Sequence, residues 1–136
     1  MLKYKQLFIQ YMEREGIKYS DVDENVVRVS YNGDNLKTIP VYVFFDKEDD
    51  PFVCYKCWEI AKFPEEKRAA GILVCNALNK KYRWVKFYVD DDGDLIAEMD
   101  ALVDEETGGL ECLSSVQRIV GIVDEAYPVI MKSLWA

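Results

Sequence analysis

The stretch from Trp84 to Asp104 admits one favourable strand pairing, and that pairing fixes the character of the chain more than any other feature. Val85, Phe87 and Val89 alternate with polar or outward residues on one side of Asp91-Asp92-Gly93. Leu95, Ala97 and Met99 do the same on the other. A three-residue loop with a left-handed Gly93 sets Val89 against Leu95 and Phe87 against Ala97, so the two apolar faces join. A two-residue loop would put Phe87 against Glu98. The favoured register also predicts Lys86 opposite Glu98 on the outer face, an exposed pair worth about 0.2 to 1 kcal/mol.

The remaining segments read by the same periodicities. Leu7, Phe8, Tyr11 and Met12 before Gly16 predict an amphipathic helix over about 3–15. Three strand-like runs follow, at Val26 to Tyr31, Thr38 to Asp46 and Phe52 to Ile60, separated by Asn32-Gly33-Asp34-Asn35 and by the polar turn Lys47 to Pro51. They suggest an antiparallel meander. Pro64 with Glu65 and Glu66 opens a second helix, whose inner face is expected to be Ala70, Leu73, Val74, Ala77 and Leu78, with Lys80, Lys81 and Arg83 at its C-terminal end. Leu113, Val116, Val120, Val123, Tyr127, Ile130 and Leu134 recur at spacings of three and four over about 110–134. They mark a long terminal helix that Pro128 should kink or break near 125–127. The expected fold class is α+β, an antiparallel sheet of about five strands with helices in the order α-β-β-β-α-β-β-α, as one domain over residues 1–136.

A chain of 136 residues that is half apolar can bury a real core without staples. No charged-apolar-small leader and no run of about 20 apolar residues is visible, so a cytoplasmic protein without membrane contact is expected. There Cys54, Cys57, Cys75 and Cys112 should be reduced thiols. The net charge of −8 is uneven: residues 1–89 hold 15 Lys and Arg against 13 Asp and Glu, and residues 90–136 hold 2 against 12. Ten carboxylates and no basic residue lie between Asp90 and Glu111, which argues against nucleic acid and for a basic partner.

Chemistry-bearing motifs are few. The chain has no histidine, which removes the commonest general base and the triad partners. Cys54-Tyr55-Lys56-Cys57 has metal or redox spacing, but within a strand the two thiols face opposite ways, with Cα atoms about 10 Å apart, beyond disulfide reach. A cysteine-dependent metal or redox protein is the alternative reading, and it needs a β-bulge. Asp90-Asp91-Asp92-Gly93-Asp94 fails as a calcium loop, because aligning Gly93 leaves Tyr88 first and Met99 in place of the bidentate glutamate. It reads as the hairpin turn. Glu105-Glu106-Thr107-Gly108-Gly109 lacks the Lys-Ser or Lys-Thr of a phosphate loop. Glu98 and Asp100 share one strand face; a two-carboxylate hydrolase is geometrically possible there, though a solvated strand face is the simpler reading. If the helices cover one side of the sheet, the other exposes Tyr42, Phe44, Trp58, Trp84 and Tyr88. These aromatics, with Glu98 and Asp100, are the candidate protein-binding residues.

The element order, together with Asn76-Ala77-Leu78-Asn79, the aromatic-rich Tyr82 to Tyr88, the Asp-Gly turn and the terminal helix, resembles the YbjN domain family, whose fold is like that of type III secretion chaperones. The resemblance spans nearly the whole chain. It implies a homodimer that binds another polypeptide in a chaperone-like or regulatory role, without a catalytic residue. No cofactor is implied.

Overall fold

The hairpin register dictated by the alternation is present in the computed structural model, which describes residues 2–47 and 50–136. Val89 pairs with Leu95, Phe87 with Ala97 and Lys86 with Glu98. Gly93 sits at φ +91°, in the left-handed region, and a Cβ there would lie 2.4 Å from the Phe63 carbonyl oxygen. Arg68 closes the same corner, donating from Nε to the Phe63 carbonyl at 3.1 Å and from Nη1 to the Asp91 carbonyl at 3.2 Å.

In chain order the elements are α1 (Lys3–Arg14), β1 (Ser20–Asp23), β2 (Val26–Tyr31), β3 (Ile39–Phe45), β4 (Phe52–Cys57), α2 (Arg68–Lys81), β5 (Lys86–Val89), β6 (Leu95–Leu102) and α3 (Gly108–Trp135). A single 3₁₀ turn, Glu65–Lys67, follows Pro64 and leads into α2. The strands form one antiparallel sheet in the order β1-β2-β3-β4-β6-β5. Glu48 and Asp49 of the expected turn between β3 and β4 lie outside the described residues.

The sheet has six strands where about five were expected. The additional one, β1, carries the sequence Ser-Asp-Val-Asp, poor in strand-forming residues. It pairs with β2 and is further fastened by Lys5 of α1, whose buried ammonium donates to Asp21 Oδ1 at 2.7 Å and to the carbonyls of Asp23 at 2.8 Å and Glu24 at 3.2 Å. A buried lysine left without such partners would be costly, so α1 and β1 are tied to each other.

All three helices lie on one side. Val27, Val29, Val41, Val43, Val53, Tyr55, Leu95, Ala97 and Met99 point into the core beneath them, with Phe8 and Met12 of α1 and Val116, Ile119 and Val123 of α3. Helix α2 is rotated from its expected face: Gly71, Val74, Cys75 and Leu78 are buried, whereas Leu73 is 70% exposed and Ala77 also faces out. Gly71 is the cause. A Cβ on it would meet the Phe63 ring at 2.9 Å, so the bare backbone is what lets α2 approach the segment before it.

Pro128 does not end α3, which runs unbroken from Gly108 to Trp135. Proline at this position deprives the Asp124 carbonyl of its helical donor, and Asn35 Nδ2 supplies a replacement at 3.1 Å. The Asp124 carboxylate meanwhile accepts the backbone N–H groups of Asp34, Asn35 and Leu36 at 3.0, 2.8 and 2.9 Å. The β2–β3 loop is thus clamped onto α3. Gly33 leaves room for the clamp, since a Cβ there would lie 2.3 Å from Asp124 Oδ1 and 2.6 Å from the Leu36 carbonyl oxygen.

Candidate protein-binding surface

With the helices on one side, period-two alternation puts the opposite residues of each strand on an uncovered sheet face. Register aligns Arg28, Tyr42, Lys56, Glu98 and Lys86 in one row across β2, β3, β4, β6 and β5. The neighbouring row holds Val26, Phe44, Cys54 and Asp100.

Of the seven residues singled out from sequence, six meet on this face or at its margin. Trp58, just beyond β4, stacks on Tyr42 with ring centroids 4.0 Å apart and 13° between planes. Phe44 lies tilted against the same indole at 6.3 Å. Each of the three residues is half-buried. The Tyr42 hydroxyl donates to Glu59 at 3.3 Å. Trp84 does not join them. It sits outside β5 at φ +82°, a region bulky residues rarely enter, and its 63%-exposed indole lies 5.0 Å from the Arg118 guanidinium of α3, on the helical side. The left-handed turn at Trp84 is what breaks the alternation that would have carried it onto the open face.

Glu98 is the electrostatic centre of the sheet face. It accepts the Tyr88 hydroxyl at 2.8 Å and pairs with Lys86 at 3.2 Å and Lys56 at 3.5 Å. Partial burial pushes its carboxyl upward, but the hydrogen bonds from Tyr88 and Lys86 and the charges of the two lysines outweigh that and hold it below its ordinary value. Tyr88 moves the other way, up to about 12, through burial, its bond to Glu98 and that carboxylate's charge. Asp100 is exposed on the same strand face, beside Cys54.

The cysteine pair is separated. Cys54 lies on the open face and Cys57 is buried in the core, with no bulge at β4 to bring them together. Burial pushes both thiols up to about 12, with Asp100 adding to the shift at Cys54, so both are protonated at neutral pH. Cys54, Glu98 and Asp100 do bring one ligand atom each within 4.8 Å of one another. The thiol is protonated, however, and Glu98 already answers three donors, which suits this group to an internal polar network. The carboxylates of Asp90, Asp92 and Asp94 also converge, and Asp90 Oδ1 there accepts the N–H groups of Asp92 at 3.0 Å and Asp94 at 2.9 Å, fastening the hairpin turn.

Two further members of the open face lie outside the residues singled out from sequence. Leu102, 76% exposed, pairs with Phe52, 36% exposed, at the far end of β6 and β4. Extending the Glu98–Asp100 alternation by one step would have found Leu102. A second exposed surface lies on the helical side, where Leu73 of α2 and Val129 of α3 flank an apolar depression of about 420 Å³. Ile72 and Trp135 stand on the same two helices, 60% and 79% exposed.

Comparison with solved structures finds this fold repeatedly at low sequence identity. YbjN from E. coli is similar over 90% of each chain, with a TM-score of 0.63 and 14% identity. A heterodimeric ExoU–SpcU complex from the type III secretion system of Pseudomonas aeruginosa contains a chain similar over 92% of this one and 95% of its own, with a TM-score of 0.57 and 14% identity. The Yersinia pestis type III secretion chaperone SycH, solved with a fragment of YscM2, is similar over 88% and 96%, with a TM-score of 0.57 and 13% identity. Comparison with curated protein sequences yields no match. The sequence profile of the YbjN family, described as "Putative bacterial sensory transduction regulator", matches residues 6–131. With a six-stranded secretion-chaperone-like sheet and a profile match along almost its entire length, the chain belongs to the YbjN family.

Proposed function

We propose that this protein is a non-enzymatic module that binds another polypeptide through its uncovered sheet face, in a chaperone-like or regulatory role, in the cytoplasm and as a homodimer. The observation that carries this reading is the single-sided fold. Six strands bury one face under three helices and leave the other open, with Tyr42, Phe44, Trp58 and Tyr88 set among paired charges. Half-exposed aromatics with a polar rim are what protein contacts are made of. Solved structures of similar fold include the heterodimeric ExoU–SpcU complex and SycH in complex with a fragment of YscM2, which supports a polypeptide partner here. Among the described residues no helix is long and apolar enough to cross a membrane. For the second copy, the apolar α2–α3 surface is the natural seat, since a two-fold partner would bring Leu73 and Val129 onto their own counterparts.

Affinity capture of the tagged protein from its own organism's lysate, with mass spectrometry of what is retained, tests the reading. One near-stoichiometric polypeptide is expected, and its retention should drop at least about tenfold with Phe44→Asp, a change at a half-exposed position that leaves the helical side untouched. Unchanged retention by a folded Phe44→Asp protein would remove the sheet face from the mechanism.

A further inference from the structure

One end of the open face is more specific than a general docking surface. Between β3, the segment after β4 and the β5–β6 turn lies a depression of about 340 Å³. Phe44, Trp58 and Tyr88 form its aromatic walls, Ile96 an apolar one, and Asp90 and Asp94 part of its rim. Lys56 lines it too, with its ammonium 5.7 Å from the centre of the Phe44 ring. That ring face therefore already attracts a cation, although Glu98 draws the Lys56 charge away at 3.5 Å.

The rim is not neutralised in the same way. Carboxylate oxygens of Asp90, Asp92 and Asp94 lie within 4.8 Å of one another. Asp90 uses one oxygen to fasten the turn, but among the described residues no hydrogen bond or ion pair engages the Asp94 carboxylate. Aromatic walls beside clustered, incompletely paired carboxylates complement a flat cation. A guanidinium fits better than an ammonium, because it stacks on ring faces and presents a planar fork to carboxylates. The overall charge of −8 favours the approach of such a group.

We propose that this pocket receives an arginine side chain of the bound polypeptide, stacked against Trp58 and Phe44 and paired with Asp94 and Asp90, with an apolar neighbour of the arginine resting on Ile96. The proposal rests on the polypeptide-binding reading and gives that reading a sequence requirement. Seven-residue peptides with a central arginine between leucines, and matched peptides with citrulline in its place, would be titrated into the full chain. The signal is the Trp58 indole N–H in nuclear magnetic resonance spectra, assigned by its loss in Trp58→Leu. The arginine peptide should bind roughly tenfold more tightly than its neutral isostere, and Asp94→Asn should remove most of that difference. Asp94→Asn takes away a carboxylate that holds nothing else in place, so the fold is not at stake. Equal affinity for the two peptides overturns the arginine pocket and leaves polypeptide binding standing. A Trp58 signal unmoved by the arginine peptide at millimolar concentration also overturns it, and lysate capture then decides the wider reading on its own.

Discussion

The open sheet face and the α2–α3 surface both expose large side chains, yet they are built on opposite terms. On the sheet the two tyrosines and the two lysines have internal partners: Tyr42 with Glu59, Tyr88 with Glu98, Lys56 and Lys86 with Glu98. Around these paired groups a ligand can come and go without stranding a polar group, although Leu102 and Phe52 stay exposed at the far end of the same face. On the helices Ile72, Leu73 and Val129 are exposed with no polar end to satisfy, and among the described residues Lys132 supplies the charged side chain that lines the depression beside them. An exposed apolar patch of this kind marks an interaction site. On the proposed reading, this difference fits an exchangeable polypeptide partner on the sheet and a lasting one, a second copy, on the helices.

The most damaging change acts beneath both surfaces. Gly33→Ala places a methyl group within 2.6 Å of the Leu36 carbonyl and 2.3 Å of Asp124 Oδ1, so the loop must leave α3 and the three N–H bonds to Asp124 go with it. A loss of about 2 to 3 kcal/mol of stability is expected in urea unfolding. Asp124→Ala, which opens the clamp without a clash, should cost less, about 1 to 2 kcal/mol. If Gly33→Ala unfolds at the wild-type midpoint, the clamp does not hold the helix layer on the sheet.

Leu73→Glu separates the two surfaces. The side chain is 70% exposed, so the monomer fold should survive. A charge at the centre of an apolar self-contact is expected to weaken association about 30-fold or more by sedimentation analysis, a loss of about 2 kcal/mol, while polypeptide capture by the sheet persists. A Leu73→Glu protein that remains as dimeric as the wild type would move the self-contact elsewhere. One that loses capture together with self-association would show that the surfaces are not independent.

How far these surfaces could be read from the sequence depended on whether a local pattern or a distant contact decided the structure. The β5–β6 hairpin is legible to the residue, because a one-residue slip would turn Phe87 outward. β1 is not legible, because Asp21 and Asp23 are strand-poor, and the contact that adds to its ladder with β2 comes from Lys5 of α1, 16 residues from Asp21. The rotation of α2 hides in the same way. Leu73 and Ala77 look like core by periodicity, and the contact of Gly71 with Phe63 turns them outward. Pro128 signalled a break that Asn35, far away in sequence, makes unnecessary by answering the Asp124 carbonyl. On the sheet face, alternation correctly grouped Tyr42, Phe44, Tyr88, Glu98 and Asp100. It misplaced Trp84, whose left-handed backbone no pattern of apolar residues encodes.

Acid offers the mildest and most selective way to tell the two surfaces apart. Glu98 is held below its ordinary 4.5 in the folded protein, chiefly by Tyr88 and the two lysines acting against its burial. A carboxyl depressed by folding contributes stability that is fully present above its unfolded value and is lost as pH falls through the folded one. The stability that Glu98 contributes should therefore stay flat from neutral pH down to about 5 and be lost below the ordinary carboxylate range; with Lys56 and Lys86 then unpaired, polypeptide binding on the sheet is expected to weaken a few-fold over the same range. The depression between α2 and α3 is lined by Ala70, Leu73, Val74, Val129, Lys132, Ser133 and Ala136, with no acidic side chain to titrate. Self-association should not follow the same curve. Glu98→Gln should remove the part of the acid response that belongs to Glu98, leaving a shallower dependence of peptide affinity on pH. If peptide affinity and self-association instead fall together with pH, and Glu98→Gln alters both alike, then one surface serves both partners and the division drawn between them is wrong.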